Sequence, residues 1–225
     1  MGVARKRSVL SGIRGKVGTV VLSVMRGVEV VKEVPSPPKK DSQTAAQDIQ
    51  RAKFKCANEF LLRIGYDVPG LGYQLRRQSG KTKINESMSD LMRNALKGTY
   101  PDFSIDFSKV QWSRPIEKID ACWKGSFVAV EEMGFELSWE LNPFPGKTSR
   151  LHDRAVIVLF DETKGKNLYF GMHSREIVPR TALKWIYKGY PQIDGHHIHC
   201  WIFFVSADEK RVSDTEYLGR VTLKK

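Results

Sequence analysis

The sequence predicts an α+β protein: a basic N-terminal arm and β-hairpin, a two-helix segment, and a C-terminal β-sandwich of the immunoglobulin or fibronectin III-like kind. Three observations predict it. The stretch "VGTVVLSVMRGVEVVKEV", opening at Val17, is rich in valine and poor in helix formers, which favours strand. "SQTAAQDIQRAKFKCANEFLLRIG" carries apolar residues at spacings of three and four, the period of a helix face. Beyond "GTYPDF" come seven short strand-like runs separated by turn signals. The corresponding segments are residues 1–40, 41–103 and 104–225.

Residues 1–16 mix glycine, serine and cations without an apolar period and read as a flexible arm. Within "SGIRGKVGTV" a phosphate-binding loop fails on spacing. Only Ile13 and Arg14 separate Gly12 from Gly15-Lys16, and Val17 stands where a Ser or Thr would hold Mg²⁺. The glycines are backbone punctuation. The hairpin is expected over residues 17–34, turning at Met25-Arg26-Gly27. Apolar side chains on both of its faces require packing against this chain or another subunit.

"PSPPKKD" ends the hairpin. The first helix places Ala45, Ile49, Ala52, Cys56 and Phe60 on one stripe, widened by Ala57, Leu61 and Ile64, with Ser42 as N-cap and Gly65 beyond its last turn. "YDVPGLGYQLRRQSGKTK" reads as loop. A second helix, expected over residues 85–97, carries Ile84, Met88, Leu91, Met92, Ala95 and Leu96 and should pair antiparallel with the first. Strands are expected at 104–113, 134–141, 154–161, 166–172, 176–185, 197–206 and 213–223, with Trp139 as a core anchor.

The formal net charge is +12, and residues 1–55, with twelve Lys or Arg against four Asp or Glu, contribute +8 of it. Basicity is therefore an N-terminal property. Arg5, Lys6, Arg7, Arg14, Lys16 and Arg26 are the candidate residues for binding a polyanion or a partner. The bland alternative is that they only solubilise an exposed arm. No aromatic residue precedes Phe54, so the arm lacks base stacking and retains only sequence-independent phosphate contact.

"DGHHIHCW" sets His197 and His199 on one strand face and Cys200 on the other, but two imidazoles fall short of a metal set. Packed or surface histidines are expected. His152 and His173 have no motif context. Cys56, Cys122 and Cys200 are odd in number and form no CxxC, so they read as reduced thiols, Cys56 and Cys200 buried. Glu131-Glu132 and Asp208-Glu209 are adjacent pairs whose side chains point apart. Neither an enzyme nor a cofactor is expected. No run of about 18 apolar residues could span a bilayer, and Lys6 stands where N-myristoylation would need Ser or Thr. No membrane partner is expected, and the location is cytoplasmic or, for a phage protein, the virion.

The succession "GKVGTVV", the Arg26-Gly27 turn, a proline segment, "TAAQDIQRAKF", "NALKGTYPDFSIDFSKVQWSR" and "FVSADEKRVSDTEYLG" resembles an uncharacterised bacterial family catalogued as a domain of unknown function. The likeness covers nearly the whole chain, and "GTYPDFSIDFSKV" is its most specific piece. The N-terminal half is similar, more loosely, to small proteins encoded in phage and prophage regions. Where the family usually has aromatic-Lys-Gly in the hairpin turn, this chain has Met25-Arg26-Gly27. The resemblance implies a shared architecture and a virion or prophage context, and it brings no catalytic residues. The expected function is a non-enzymatic structural or interaction protein, part of a virion or a bacterial assembly, docking through arm and hairpin. The alternative is a nucleic-acid- or ribosome-associated protein that binds phosphates through the arm.

Overall fold

The computed structural model describes residues 2–3, 12–25, 28–36, 43–75, 81–130, 134–163, 175–187 and 195–223. The chain divides into two compact units, Met1–Ala45 and Ala46–Lys225.

The first unit is an antiparallel sheet of β1 (Gly2–Val3), β2 (Gly15–Val17), β3 (Val20–Met25) and β4 (Val28–Glu33), ordered β1-β4-β3-β2. The expected hairpin is its centre, Met25 pairing with Val28 across Arg26 and Gly27, which lie outside the described residues. Two additions come from the segment read as a flexible arm. Gly2–Val3 pairs with β4, and Gly15–Val17 folds back on β3 through a tight turn in which Gly18 takes φ +59°. The unpaired amides and carbonyls at a hairpin's edges offer such segments a ladder to join.

The second unit begins with α1 (Ala45–Ile64), which ends where expected: Gly65 takes φ +97° and its N–H donates to Leu61 O at 2.9 Å. Ser42 lies outside the described residues. The segment read as loop contains a short helix, α2 (Asp67–Gly72), whose Pro69, Gly70 and Gly72 disguise it. Gly72 is required there, because a Cβ would collide with the Trp112 carbonyl. The second expected helix is shorter, α3 (Lys83–Asp90), its amide at Asn85 capped by Thr82 Oγ1 at 3.1 Å. A wide turn over Leu91–Ala95 then leads directly into a hairpin of β5 (Leu96–Thr99) and β6 (Asp102–Ile105).

The remaining strands are β7 (Trp123–Val130), β8 (Gly134–Glu140), β9 (Arg154–Asp161), β10 (Arg175–Pro179), β11 (Lys184–Tyr187), β12 (His197–Val205) and β13 (Glu216–Thr222). They form antiparallel sheets ordered β10-β9-β12-β13 and β11-β8-β7. Two expectations change. Residues 104–113 end in a 3₁₀ turn at Phe107–Lys109, and the strand that does open the sandwich is β7. A bulge between Trp123 and Ser126, with Lys124 at φ +48°, breaks its alternation, and only Phe127 on it is buried. The strand expected at 176–185 is two: a 3₁₀ turn at Arg180–Ala182 and Leu183 at φ +60° carry the chain from one sheet to the other. The strand expected at 166–172 lies outside the described residues.

Strands β9 and β12 are nearly continuous apolar runs, so both of their faces must be covered. One face presents Val156, Val158, Phe160, Trp201 and Phe203 to a cluster that includes Phe60, Leu61 and Ile64 of α1, Met88 of α3 and Trp112. The other presents Ile157, Leu159, Ile198, Cys200, Ile202 and Phe204 to Phe127, Phe135, Leu137 and Trp139 of the smaller sheet. The result is three layers, helices, sheet and sheet. The helices share the sheet's core instead of forming a pair of their own, and Ala46–Lys225 form one compact unit. Residues 46–225 should therefore unfold in one cooperative transition. A fragment of residues 104–225 should aggregate or melt without cooperativity, as scanning calorimetry of the two purified fragments would show.

Arg180 ties the loops at one end of the sandwich. Its guanidinium, almost fully buried, lies 3.3 Å from Asp153 Oδ2, donates to Asp120 O at 3.1 Å and stacks 4.3 Å above the Phe204 ring. Its carbonyl accepts Trp139 Nε1–H at 2.8 Å. Arg180→Ala would leave Asp153 charged, buried and unpaired, costing about 3–5 kcal/mol, and Trp139→Ala should cost about the same through the void it leaves. Urea denaturation would measure both.

Candidate interaction surface

Partners across an antiparallel ladder point to the same side, so the register sorts the residues of the N-terminal sheet. Val17, Val20, Leu22, Val24 and Val31 share one face with Glu29 and Glu33. Lys16, Val21, Ser23, Met25, Val28, Val30 and Lys32 share the other. Leu22 and Val30, on opposite faces, are buried, whereas Val17 and Met25 are each 61% exposed. Each face thus combines an apolar strip with one sign of charge, glutamates on one side and lysines on the other.

Of the six candidate cations, Lys16 sits on β2 at the edge of this sheet, paired with Val21, and Arg14 immediately precedes β2, exposed. Arg5, Lys6, Arg7 and Arg26 lie outside the described residues. The neighbouring loop is held by Gly12 N–H, which donates to Glu29 Oε1 at 2.8 Å.

Each histidine of the cluster is hydrogen-bonded within the fold. His199 Nδ1 lies 2.7 Å from the Tyr217 hydroxyl and Nε2 lies 3.1 Å from Glu162 Oε2, while its ring stacks 4.1 Å from Phe107. Nε2 therefore carries the proton that Glu162 accepts, and Nδ1 accepts the Tyr217 proton. His197 bonds Thr222 Oγ1, and His196, next to it, bonds the buried Asp161 at 2.7 Å. Among the described residues no group of three or more His, Cys, Asp or Glu is arranged to hold a metal ion. His173 and the pair Glu131-Glu132 lie outside them. Asp208 accepts from Ser206 and Lys210, and Glu209 pairs with Arg154 at 2.8 Å, so this pair shapes a turn.

The thiols are muted by burial. Cys200 is fully buried and its pKa rises well above the usual range; Cys122, half-buried, is pushed up to about 12; Cys56, also half-buried where full burial was expected, is raised as well. Desolvation is the main cause in all three. No described helix is long and apolar enough to cross a membrane.

A profile for a family of unknown function, DUF6266, matches residues 12–219. The chain belongs to that family. The match spans β2 to β4 of the N-terminal sheet, the helices and the sandwich strands as far as the middle of β13 in this DUF6266 protein. No curated protein matches the chain. Among solved structures, the fibronectin type III domain of the human collagen alpha-1(XX) chain is similar at 12% identity and a TM-score of 0.29, over 50% of this chain and 90% of that one.

Burial lowers the pKa of His199 from its ordinary 6.5, outweighing the opposing pull of Glu162. The folded state thus favours the neutral ring, and the unfolded chain takes up the proton first. The stability His199 contributes is present above pH 6.5 and is lost as pH falls through its folded pKa. Urea midpoints between pH 7.5 and 5.5 should decline for the native sequence and decline less for His199→Gln. Equal slopes would contradict this account.

Proposed function

We propose that this protein is a non-enzymatic structural or interaction protein that docks, to a partner or to further copies of itself, through its N-terminal arm and sheet. The observation that carries this reading is the two-faced sheet, valines on both sides with Glu29 and Glu33 on one and Lys16 and Lys32 on the other. Stacking the lysine face of one copy on the glutamate face of the next would bury apolar strips and match charge, a heterologous contact of the kind that builds rings or filaments. A virion or another bacterial assembly is the setting in which such a contact serves.

The remainder of the chain then acts as the displayed body. Lettered in chain order as A, B, C, C′, E, F and G, strands β7–β13 divide into sheets A-B-E and C′-C-F-G, the partition of a fibronectin type III sandwich, and we read the fold as that kind. It differs in carrying a helical layer on the outer face of the larger sheet.

The second reading is phosphate binding by the basic arm, favoured by the +8 charge of residues 1–55. One pair of proteins separates the two. The native chain should show a concentration-dependent mass by light scattering that Lys16→Glu/Lys32→Glu abolishes. If the arm instead binds nucleic acid, anisotropy with a random duplex should give a log–log salt slope of about −4.5 for about five phosphates, with mass independent of concentration. That second result would overturn assembly in favour of nucleic-acid binding.

A further inference from the structure

The loop joining β8 to β9, residues 141–153, places a large apolar side chain in full view of solvent. Phe144, between Pro143 and Pro145, is 84% exposed, and Leu151 on the same loop is 62% exposed. Apolar residues scattered singly on a surface need no explanation, but these belong to a built feature. Leu141, Pro145 and Leu151 line a pocket of about 140 Å³ whose base is formed by Asp120 and Arg180. An apolar cavity of about 150 Å³ admits a benzene ring, so this one accepts a single side chain of that size.

The loop is held rigid around the pocket. Phe144 N–H donates to Asn142 Oδ1 at 2.9 Å, Gly146 N–H to Asp120 Oδ2 at 2.9 Å, and Arg150 N–H to Asp153 Oδ2 at 2.9 Å. The Arg150 guanidinium clamps Lys147 O and Ser149 O from the outside. Two prolines and these bonds fix the backbone that carries the exposed ring before any partner arrives, which lowers the ordering cost of binding. Asp120 in the lining is turned onto the Gly146 amide and the Asn142 side chain, and the exposed charge at the rim is cationic. Lys147 and Arg150 are exposed with no carboxylate within ion-pair distance among the described residues, and Arg180 beneath is already matched by Asp153. A protruding aromatic anchor, a ring-sized pocket beside it and a cationic rim form an arrangement that complements an acidic, apolar-anchored chain.

We propose that the β8–β9 loop is a docking tip for an acidic protein segment, which seats one apolar side chain in the pocket between Leu141 and Leu151 while packing against Phe144. Lys147 and Arg150 supply the attraction to its carboxylates. The tip lies in the second unit and is independent of the N-terminal sheet on which the proposed function rests.

The test is selection of random dodecapeptides displayed on phage against the immobilised full-length protein. The expected binders carry an aromatic or leucine anchor flanked by Asp or Glu. Their Kd should weaken at least tenfold on Phe144→Ala, and binding should fall and lose salt dependence on Lys147→Glu. Both side chains are exposed, so melting temperatures should be unchanged, and Lys16→Glu/Lys32→Glu should bind the peptides as the native chain does. Selection of binders without acidic residues, or of none that depend on Phe144, would overturn the proposal. So would Phe144-dependent co-sedimentation with phosphatidylglycerol/phosphatidylcholine vesicles, which would make the tip a lipid contact.

Discussion

Everything in the larger unit depends on one pair of strands that cannot tolerate water on either side. Ala155–Asp161 of β9 and Ile198–Val205 of β12 are buried along almost their whole length and pair residue for residue, from Ile198 with Asp161 to Val205 with Arg154. An antiparallel sheet ordinarily solvates one face. Here the inner face is satisfied by Phe135, Leu137 and Trp139 of the smaller sheet, as in any sandwich, and the outer face still shows Val156, Val158, Phe160, Trp201 and Phe203. The helices exist to cover that surface. Phe60 of α1 meets Phe160 at 5.1 Å and Trp112 at 5.6 Å between ring centroids, and Trp112 meets Trp201 edge-on at 5.9 Å.

Polar contacts then pin the coverings where burial alone would let them slide. Thr215 Oγ1 accepts from the amides of Trp112 and Ser113 at 3.0 and 2.9 Å, and Trp201 Nε1–H donates to Phe107 O at 3.1 Å. The Tyr73 hydroxyl lies 3.1 Å from both Asp90 Oδ2 and Gln111 O, binding α2, α3 and the segment that follows β6. The bonds of Thr215 and Trp201 cross between layers and those of Tyr73 join elements within the helical layer, so a shift of any of these elements would strand a donor or acceptor. Hydrophobic burial sets the layers, and these bonds set their register.

Much of this was legible in the sequence, and the misses have common causes. The valine-rich hairpin, the stripe of α1 and the runs that became β8, β9 and β12 announced themselves through strong apolar periodicity. β7 was hidden by its bulge and its single buried residue, Phe127. α2 was hidden because Pro69 and Gly72 signal a turn, whereas Gly72 is there for its close approach to the Trp112 carbonyl. The edge strands Gly2–Val3 and Gly15–Val17 have almost no local signal, since their conformation is imposed by a ladder they join. For the candidate surface, the composition located the charge, but only the pairing register reveals that Lys16 and Lys32 share a face opposite Glu29 and Glu33. The exposure of Phe144 has no sequence signal, because a phenylalanine in a sequence carries no mark of whether it faces inward or out.

The distribution of perturbed groups bears on where function should be sought. In enzymes, shifted pKa values gather in a cleft around the reacting atoms. In this chain burial shifts Tyr73, Cys122, Cys200 and His199, and Tyr73 and His199 each hold a bond between elements. Their shifts follow from packing. The features that packing leaves unexplained lie at the surface instead: Val17 and Val24 on one face of the small sheet, Met25 and Val28 on the other, and a phenylalanine held out between two prolines beside a ring-sized pocket. Leaving apolar area exposed forgoes about 25 cal/mol for each Å², and a rigid loop that keeps its ring in water invites the reading that something else covers it. That asymmetry, buried polar groups bonded between elements and apolar side chains left in water at the surface, is what the proposed docking role rests on.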